Sequence, residues 1–222
     1  MAGGVAAADG AKLLCQLDLD PATKTAQSLA PGIKTVLADA GWRPDDVQLV
    51  AVTIGPGSFT GLRLGVATAK TFAYSVGAEV LGIDTLETIS AAAPAEIDDL
   101  AVAVDAQRGQ VVAGRFTRQE DGWLRPTADA ELVDADAWLE SLPGGTIVSG
   151  PIIRRLIDRL PKGVTTIERE LWHPRAAMVA RLAHRDYEGG RRDDLWQLLP
   201  RYSRLSAAEE KLQKPDNQFP LV

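Results

Sequence analysis

The sequence predicts an α/β protein built from two copies of one plan, residues 1–98 and 99–222, with the last segment returning to the first copy. Two observations carry this expectation. Each half opens with strands arranged as a hairpin and continues with helices and strands in alternation, an order that lays helices over a sheet. At 222 residues the chain divides into lobes of about 100 residues, near the lower end of ordinary domain sizes. The Pro- and acid-bearing stretch "PAEIDDL" marks the boundary.

In the first half, "GGVAAADGAKLLCQLDL" reads as two strands reversed at Asp9-Gly10, a pair that tolerates positive φ. Leu29, Ile33, Val36, Leu37 and Ala40 then recur at helical spacing and Gly41 ends the run, with Pro31 either in the first turn or kinking it. Next come the continuous apolar strand "VQLVAVTIG", a helix from near Thr60 to Gly77, the strand "AEVLGID" and the helix "TLETISAAA".

The second half repeats the order. "LAVAVDAQRGQVVAGRF" is a hairpin about Arg108-Gly109, and a third strand lies within "TADAELVD". Helix "ADAWLESL", strand "TIVSG", helix "PIIRRLIDRL", strand "VTTIE" and helix "PRAAMVARLAHRDY" follow. The second hairpin begins with "LAVAVDA", whereas "MAGG" stands where the first copy should already have completed a strand. The first copy is therefore expected to be one strand short.

Bulk chemistry narrows the function classes. A net charge of -6 and a pI near 5.0 provide no overall attraction for nucleic acid, and the basic pair Arg191-Arg192 is followed at once by Asp193-Asp194. The single cysteine, Cys15, allows no internal disulfide and no Cys-rich zinc site, which fits a reducing compartment. The opening residues have neither a basic region nor a sustained apolar run, so a cytoplasmic protein without a signal peptide or membrane anchor is expected.

The segment "TIGPGSFTGLRLGVATAK" (53–70) raises the question of a phosphate site, because a glycine-rich turn opens a helix after a strand. Gly57 permits an unusual φ, and Ser58 or Thr60 can cap the helix. Gly57, Ser58 and Thr60 are thus candidate anion or nucleotide contacts. The spacing nevertheless fits neither G-x-x-x-x-G-K-[ST] nor G-x-G-x-x-G, so a capped structural turn is the competing reading. Along the same helix Gly61, Gly65, Ala69 and Ala73 form a ridge of small side chains that lets another backbone come close, whether the chain's own sheet or a partner.

Catalytic constellations are sparse. His173 and His184 belong to no metal-binding pair, and no GxSxG elbow is present. Asp84 and Asp105 end apolar strands, where α/β enzymes often place carboxylates, but as loop or cap residues they serve equally well.

The stretch "GPGSFTGLRLGVATAKTFAYSVGAEVLGIDTLETIS" closely resembles the signature of the TsaB (YeaZ) family. "VDAQRGQVVAGRF" resembles its D-A-R-R-G-E-V-Y segment, and "LLPRYSRLSAAEE" its terminal P-x-Y-x-R-x-x-E-A-E stretch. This resemblance implies two duplicated lobes of the actin, Hsp70 and sugar-kinase (RNase H-like) type. It implies a non-catalytic subunit that works with the catalytic paralogue TsaD and the ATPase TsaE in threonylcarbamoylation of the tRNA adenosine next to the anticodon. Contact with tRNA would come only through the complex, and a homodimer could form when the chain is alone.

The family resemblance assigns two helices to the bundle with TsaD, one bearing Leu29, Ile33 and Leu37 and one bearing Phe59, Gly61, Leu62, Gly65, Ala69 and Ala73. No metal, no catalytic residue and no cofactor of its own are expected, a weak nucleotide site at the subunit junction being left open. The alternatives are a stand-alone ATP-dependent kinase of the same fold and a glycoprotease-like metallopeptidase. A kinase needs a phosphate-holding turn and a carboxylate base, and a peptidase needs a metal.

Overall fold

A computed structural model describes residues 3–20, 22–23 and 25–203. Strands β1 (Gly4–Asp9) and β2 (Lys12–Asp18) form an antiparallel hairpin, paired from Gly4↔Asp18 to Asp9↔Lys12. Gly10, at φ +57°, takes the left-handed conformation that reverses the chain. Helix α1 (Thr25–Ala40) packs on this hairpin through the buried Gly32 and Val36. Pro31 lies inside it, past the first turn.

Strand β3 (Leu49–Gly55) and strand β4 (Glu79–Asp84) run parallel, joined by helix α2 (Phe59–Val76). Gly77 ends α2 in the left-handed conformation, its N–H donating to the Ala73 carbonyl. The short helix α3 (Thr85–Ser90) follows.

Beyond it lies a six-stranded mixed sheet. Its strands are β5 (Asp99–Asp105), β6 (Gln110–Arg118), β7 (Leu124–Pro126), β8 (Glu131–Asp134), β9 (Ile147–Ser149) and β10 (Thr165–Thr166). The order is β10-β9-β5-β6-β7, with β8 also on β6. β5 is central, antiparallel to β6 and parallel to β9, and its run Leu100–Val104 is buried throughout. A continuous apolar run is what a strand covered on both faces requires. Helices α4 (Ala135–Glu140), α5 (Ile153–Leu156) and α6 (Ala176–Glu188) complete the chain's mixed α/β architecture.

Several elements differ from expectation. "PIIRRLIDRL" gives one α-helical turn and then a 3₁₀ turn over Ile157–Arg159. Strand β10 has two residues, and β7 was not anticipated because Leu124 alone among its three residues is buried.

The second-half core gathers Phe116, Trp138 and Trp172 around β5, and Trp172 Nε1 donates to the Ile167 carbonyl at 3.0 Å. First-half cores are completed from the chain's end: Leu198 joins Ile54, Val66 and Val80, while Leu182 and Ala183 join Leu81 and Ile83. The outer edge of β4 is covered in the same way. Gly82 N donates to Asp193 Oδ2 at 2.8 Å and Arg191 Nη2 donates to the Gly82 carbonyl at 2.7 Å. Among the described residues no helix is long and apolar enough to cross a membrane.

Candidate functional site

The glycine turn opens α2 as a capped helix. Ser58 Oγ accepts from Gly61 N at 3.3 Å, occupying one of the amides that an anion would need. Gly57 is half-buried over Leu62, whereas Ser58 and Thr60 are exposed. These three residues lie together at the helix entrance. Arg63, the nearby cation, lays its guanidinium on the Phe59 ring at 4.7 Å.

The small-residue ridge lies against the chain's own sheet. A β-carbon on Gly65 would meet Val52 Cγ2 of β3 at 3.5 Å, and Ala73 is fully buried beside Val80. Leu62 and Ala69 are buried as well. Leu29, Ile33 and Leu37 of α1 are half-buried and line, with Gly61, Gly65 and Ala69, a cleft between the two small sheets. Of the nine residues assigned to a partner face, Phe59 is the exposed one.

Phe59 belongs to a larger aromatic surface that sequence spacing did not reveal. Its ring stacks on Tyr202 with centroids 4.5 Å apart. Tyr74 meets Trp196 edge-on at 5.5 Å. Lys70 Nζ ties the segment down by donating to the carbonyls of Trp196 and Leu198 at 3.0 and 3.1 Å. Tyr74, Trp196 and Leu199 remain about two-thirds exposed, at 67, 68 and 66%. The resemblance of "LLPRYSRLSAAEE" pointed to this segment without indicating what it touches, and its part beyond residue 203 lies outside the described residues.

Both strand-end carboxylates are used within the fold. Asp84 caps α3, its Oδ1 accepting from Leu86 N at 2.7 Å and Glu87 N at 3.1 Å. Asp105 accepts from Gln107 N at 2.9 Å and from Arg155 Nη1 at 2.8 Å. Burial pushes the Asp84 pKa above the ordinary carboxylate value, against the two amide donors that favour its charge. A carboxyl raised in this way stabilises the fold most when protonated, below its unfolded pKa, and that contribution is lost as pH rises through the folded value. Asp84→Asn, which keeps the acceptor, should therefore match or exceed wild-type stability at pH 7. Asp84→Ala should cost about 1 kcal/mol by loss of the cap. Urea unfolding at pH 4 and 7 checks both, and Asp84→Asn losing as much as Asp84→Ala at pH 7 would contradict the assignment.

Burial also lowers the His173 pKa from its ordinary value, favouring the neutral ring. Among the described residues no three His, Cys, Asp or Glu side chains converge on a point where a metal ion could bind.

Fold and site together define a mixed α/β protein whose exposed aromatics gather along one helix and the segment strapped to it. Comparison with known proteins makes the class specific. A family model described as TsaD, tRNA N6-adenosine threonylcarbamoyltransferase, matches residues 22–165. The chain is 36% identical over 113 residues to the tRNA threonylcarbamoyladenosine biosynthesis protein TsaB of Bacillus subtilis (strain 168), covering 50% of this chain and 48% of that protein. It is 31% identical over 109 residues to the protein of the same name from Escherichia coli (strain K12), covering 48 and 47%. A crystal structure of a Pseudomonas aeruginosa protein described as similar to peptidase YEAZ superposes with a TM-score of 0.79 at 23% identity, covering 91% of this chain and 94% of that one. The chain belongs to the TsaD-type family that this model describes and, within it, to TsaB (YeaZ). It spans about half the length of the curated relatives it matches.

Proposed function

We propose that this chain is a non-catalytic subunit in threonylcarbamoylation of the tRNA adenosine next to the anticodon, working with a TsaD-type catalytic protein and a TsaE-type ATPase in the cytoplasm. The exposed aromatic surface on α2 carries this reading: Arg63, Phe59 and Tyr202 stack in one group, with Tyr74, Trp196 and Leu199 further along. Aromatic and arginine side chains concentrate where proteins bury one another. The engagement of Asp84 and Asp105 in a cap and an ion pair supports a permissive role, as does the helix-capping use of Ser58. The names of the Bacillus and Escherichia relatives supply the pathway.

In this reading residues 1–98 and 99–222 are two lobes of the actin-like type, and the TsaD-type protein docks on α2 with α1 beside it. Phe59 and its stacked neighbours make the contact, while Leu62, Ala69 and Ala73 support the helix from beneath. The turn Gly57-Ser58-Thr60 faces the junction, where a weak nucleotide site would form without a cofactor of the subunit's own. Titration calorimetry against the TsaD-type protein of the same organism tests the docking. Phe59→Ala should weaken binding by ~10-fold or more, about 1.4 kcal/mol, while the free chain stays folded and loses only the stack on Tyr202, about 0.5–1.5 kcal/mol. Gly65→Leu, whose β-carbon already reaches contact distance of Val52 at 3.5 Å and whose longer side chain must pass β3, should instead cost about 1–3 kcal/mol of folding stability. A Gly65→Leu protein that melts like wild type yet fails to bind would move the contact onto the ridge; unaltered binding by Phe59→Ala would remove it from the aromatic group.

A further inference from the structure

We propose that Lys70 is a positioning residue for partner binding: its ammonium holds the segment 194–199 in the shape that presents Trp196 and Leu199, without touching the partner itself. Lys70 thereby assembles the far end of the aromatic surface, and the assignment rests on the docking reading of that surface.

The segment reaches α2 from the edge of β4, where Asp193 bridges Val80 and accepts from Gly82 N. Asp194 then opens a single turn. Its Oδ1 accepts from Trp196 N at 2.7 Å and from Gln197 N at 2.9 Å, and its carbonyl accepts from Leu198 N at 3.0 Å. At the close of the turn the carbonyls of Trp196 and Leu198 both accept from Lys70 Nζ, across 126 and 128 residues of sequence. Carbonyls that end a helical turn carry partial negative charge, so a cation is favoured beside them. Bonds from a charged donor are also roughly twice as strong as those between neutral groups.

Burial fixes only one side of this segment. Leu198 and, in part, Leu195 turn into the core with Ile54, Val66 and Val80. Trp196 and Leu199 turn outward, and side chains two-thirds exposed gain little from leaving water. Their direction is therefore set by the backbone, at the carbonyls that Lys70 holds. The helix places Lys70 for this task one turn ahead of Tyr74 on the same face, and Tyr74 meets Trp196 edge-on. The other end of the surface is held separately, by Arg201 N on the Ile54 carbonyl and by Tyr202 on Phe59. Loss of the ammonium should thus free Trp196 and Leu199 while Phe59 and Tyr202 stay in place.

Lys70→Met keeps the unbranched stem and removes the charge. In the free chain the amides of Trp196, Gln197 and Leu198 should exchange at least ~10-fold faster than in wild type, while those of Arg201 and of Leu100–Val104 in β5 keep their rates. Calorimetric titration against the TsaD-type protein should show binding weakened by ~10-fold. In a Trp196→Ala/Leu199→Ala background the same substitution should weaken binding by less than ~2-fold, because nothing is left to position. Lys70→Arg, which keeps the charge and the donors, should lie closer to wild type than Lys70→Met in both exchange and binding.

Unchanged exchange at Leu198 in Lys70→Met overturns the proposal, as does Lys70→Arg behaving like Lys70→Met. A general acceleration that includes β5 also overturns it, since Lys70 would then support the whole fold. An undiminished loss of binding in the Trp196→Ala/Leu199→Ala background would place Lys70 itself on the partner and overturn the positioning role. Failure of the docking reading has a different signature: Phe59→Ala and the Trp196→Ala/Leu199→Ala variant would both bind as tightly as wild type, and the proposal would fall with it. Weak binding by those two beside tight binding by Lys70→Met overturns the assignment of Lys70 alone.

Discussion

Gly150→Ala is expected to remove at least about 3 kcal/mol of stability, a large share of the 5–15 kcal/mol that holds a typical domain together. Gly150 sits at φ +120°, where an L side chain is strained by about 1–3 kcal/mol. A β-carbon there would also run into the carbonyl oxygen of Ala103 and come within 3.1 Å of its nitrogen. Ala103 lies in β5, the central strand of the six-stranded sheet, so the obstacle is backbone held from both sides and cannot swing away. Gly145→Ala is the control. It also has a positive φ, +90°, but nothing within 4 Å of the added carbon, and should show only the conformational cost of about 1–3 kcal/mol without the backbone collision. Urea unfolding of the two variants measures the difference. Equal losses would mean that the approach of Gly150 to β5 is not what requires glycine.

Arg185→Ala should cost about 2–4 kcal/mol through a different mechanism. Arg185 Nη2 donates to Glu87 of α3 and to Asp186, at 2.8 and 2.6 Å, and its guanidinium lies 5.1 Å from the centre of the Trp123 ring. Its side chain is 14% exposed and that of Glu87 19%. Desolvation opposes the charge, but Glu87 and Asp186 outweigh it and hold the guanidinium protonated above its ordinary pKa. Truncation leaves Glu87 half-desolvated without a cation, whereas Asp186 keeps Arg191 at 2.8 Å. Breaking a buried pair costs about 3–5 kcal/mol, and the remaining exposure lowers the figure here. Arg185→Lys, which retains the charge, should lose less. Chemical denaturation of both variants within 0.5 kcal/mol of wild type, on the order of a surface substitution, would show the network to be ornamental.

Much of the local structure could be read from residue type. Asp9-Gly10 marked the first hairpin, and Ser58 and Gly77 bracket α2 as its cap and stop. Elements whose identity depends on distant partners were less legible. Arg154, Arg155 and Asp158 continue a helical pattern, yet Ile152, Ile153 and Leu156 meet the core while Ile157 is exposed, and the α-helix stops after one turn. The small ridge on α2 could be located from its spacing but not oriented, because small side chains admit a sheet as readily as a partner helix. Val52 of β3 lies at an ordinary contact distance, 3.5 Å, from the place of a Gly65 β-carbon. The aromatic surface escaped periodicity altogether, since Trp196, Leu199 and Tyr202 lie in an irregular segment placed by Lys70 and by Arg201 N donating to the Ile54 carbonyl at 2.7 Å.

The most direct test is reconstitution of tRNA modification. The TsaD-type and TsaE-type proteins of the same organism are combined with tRNA and the small-molecule substrates, with and without this chain, and threonylcarbamoyladenosine is measured in the digested tRNA. Modification should appear only when this chain and the TsaD-type protein are both present, and this chain by itself should give none. Modification by this chain alone, after contaminating host enzyme has been excluded, or full modification in its absence, would contradict an accessory role.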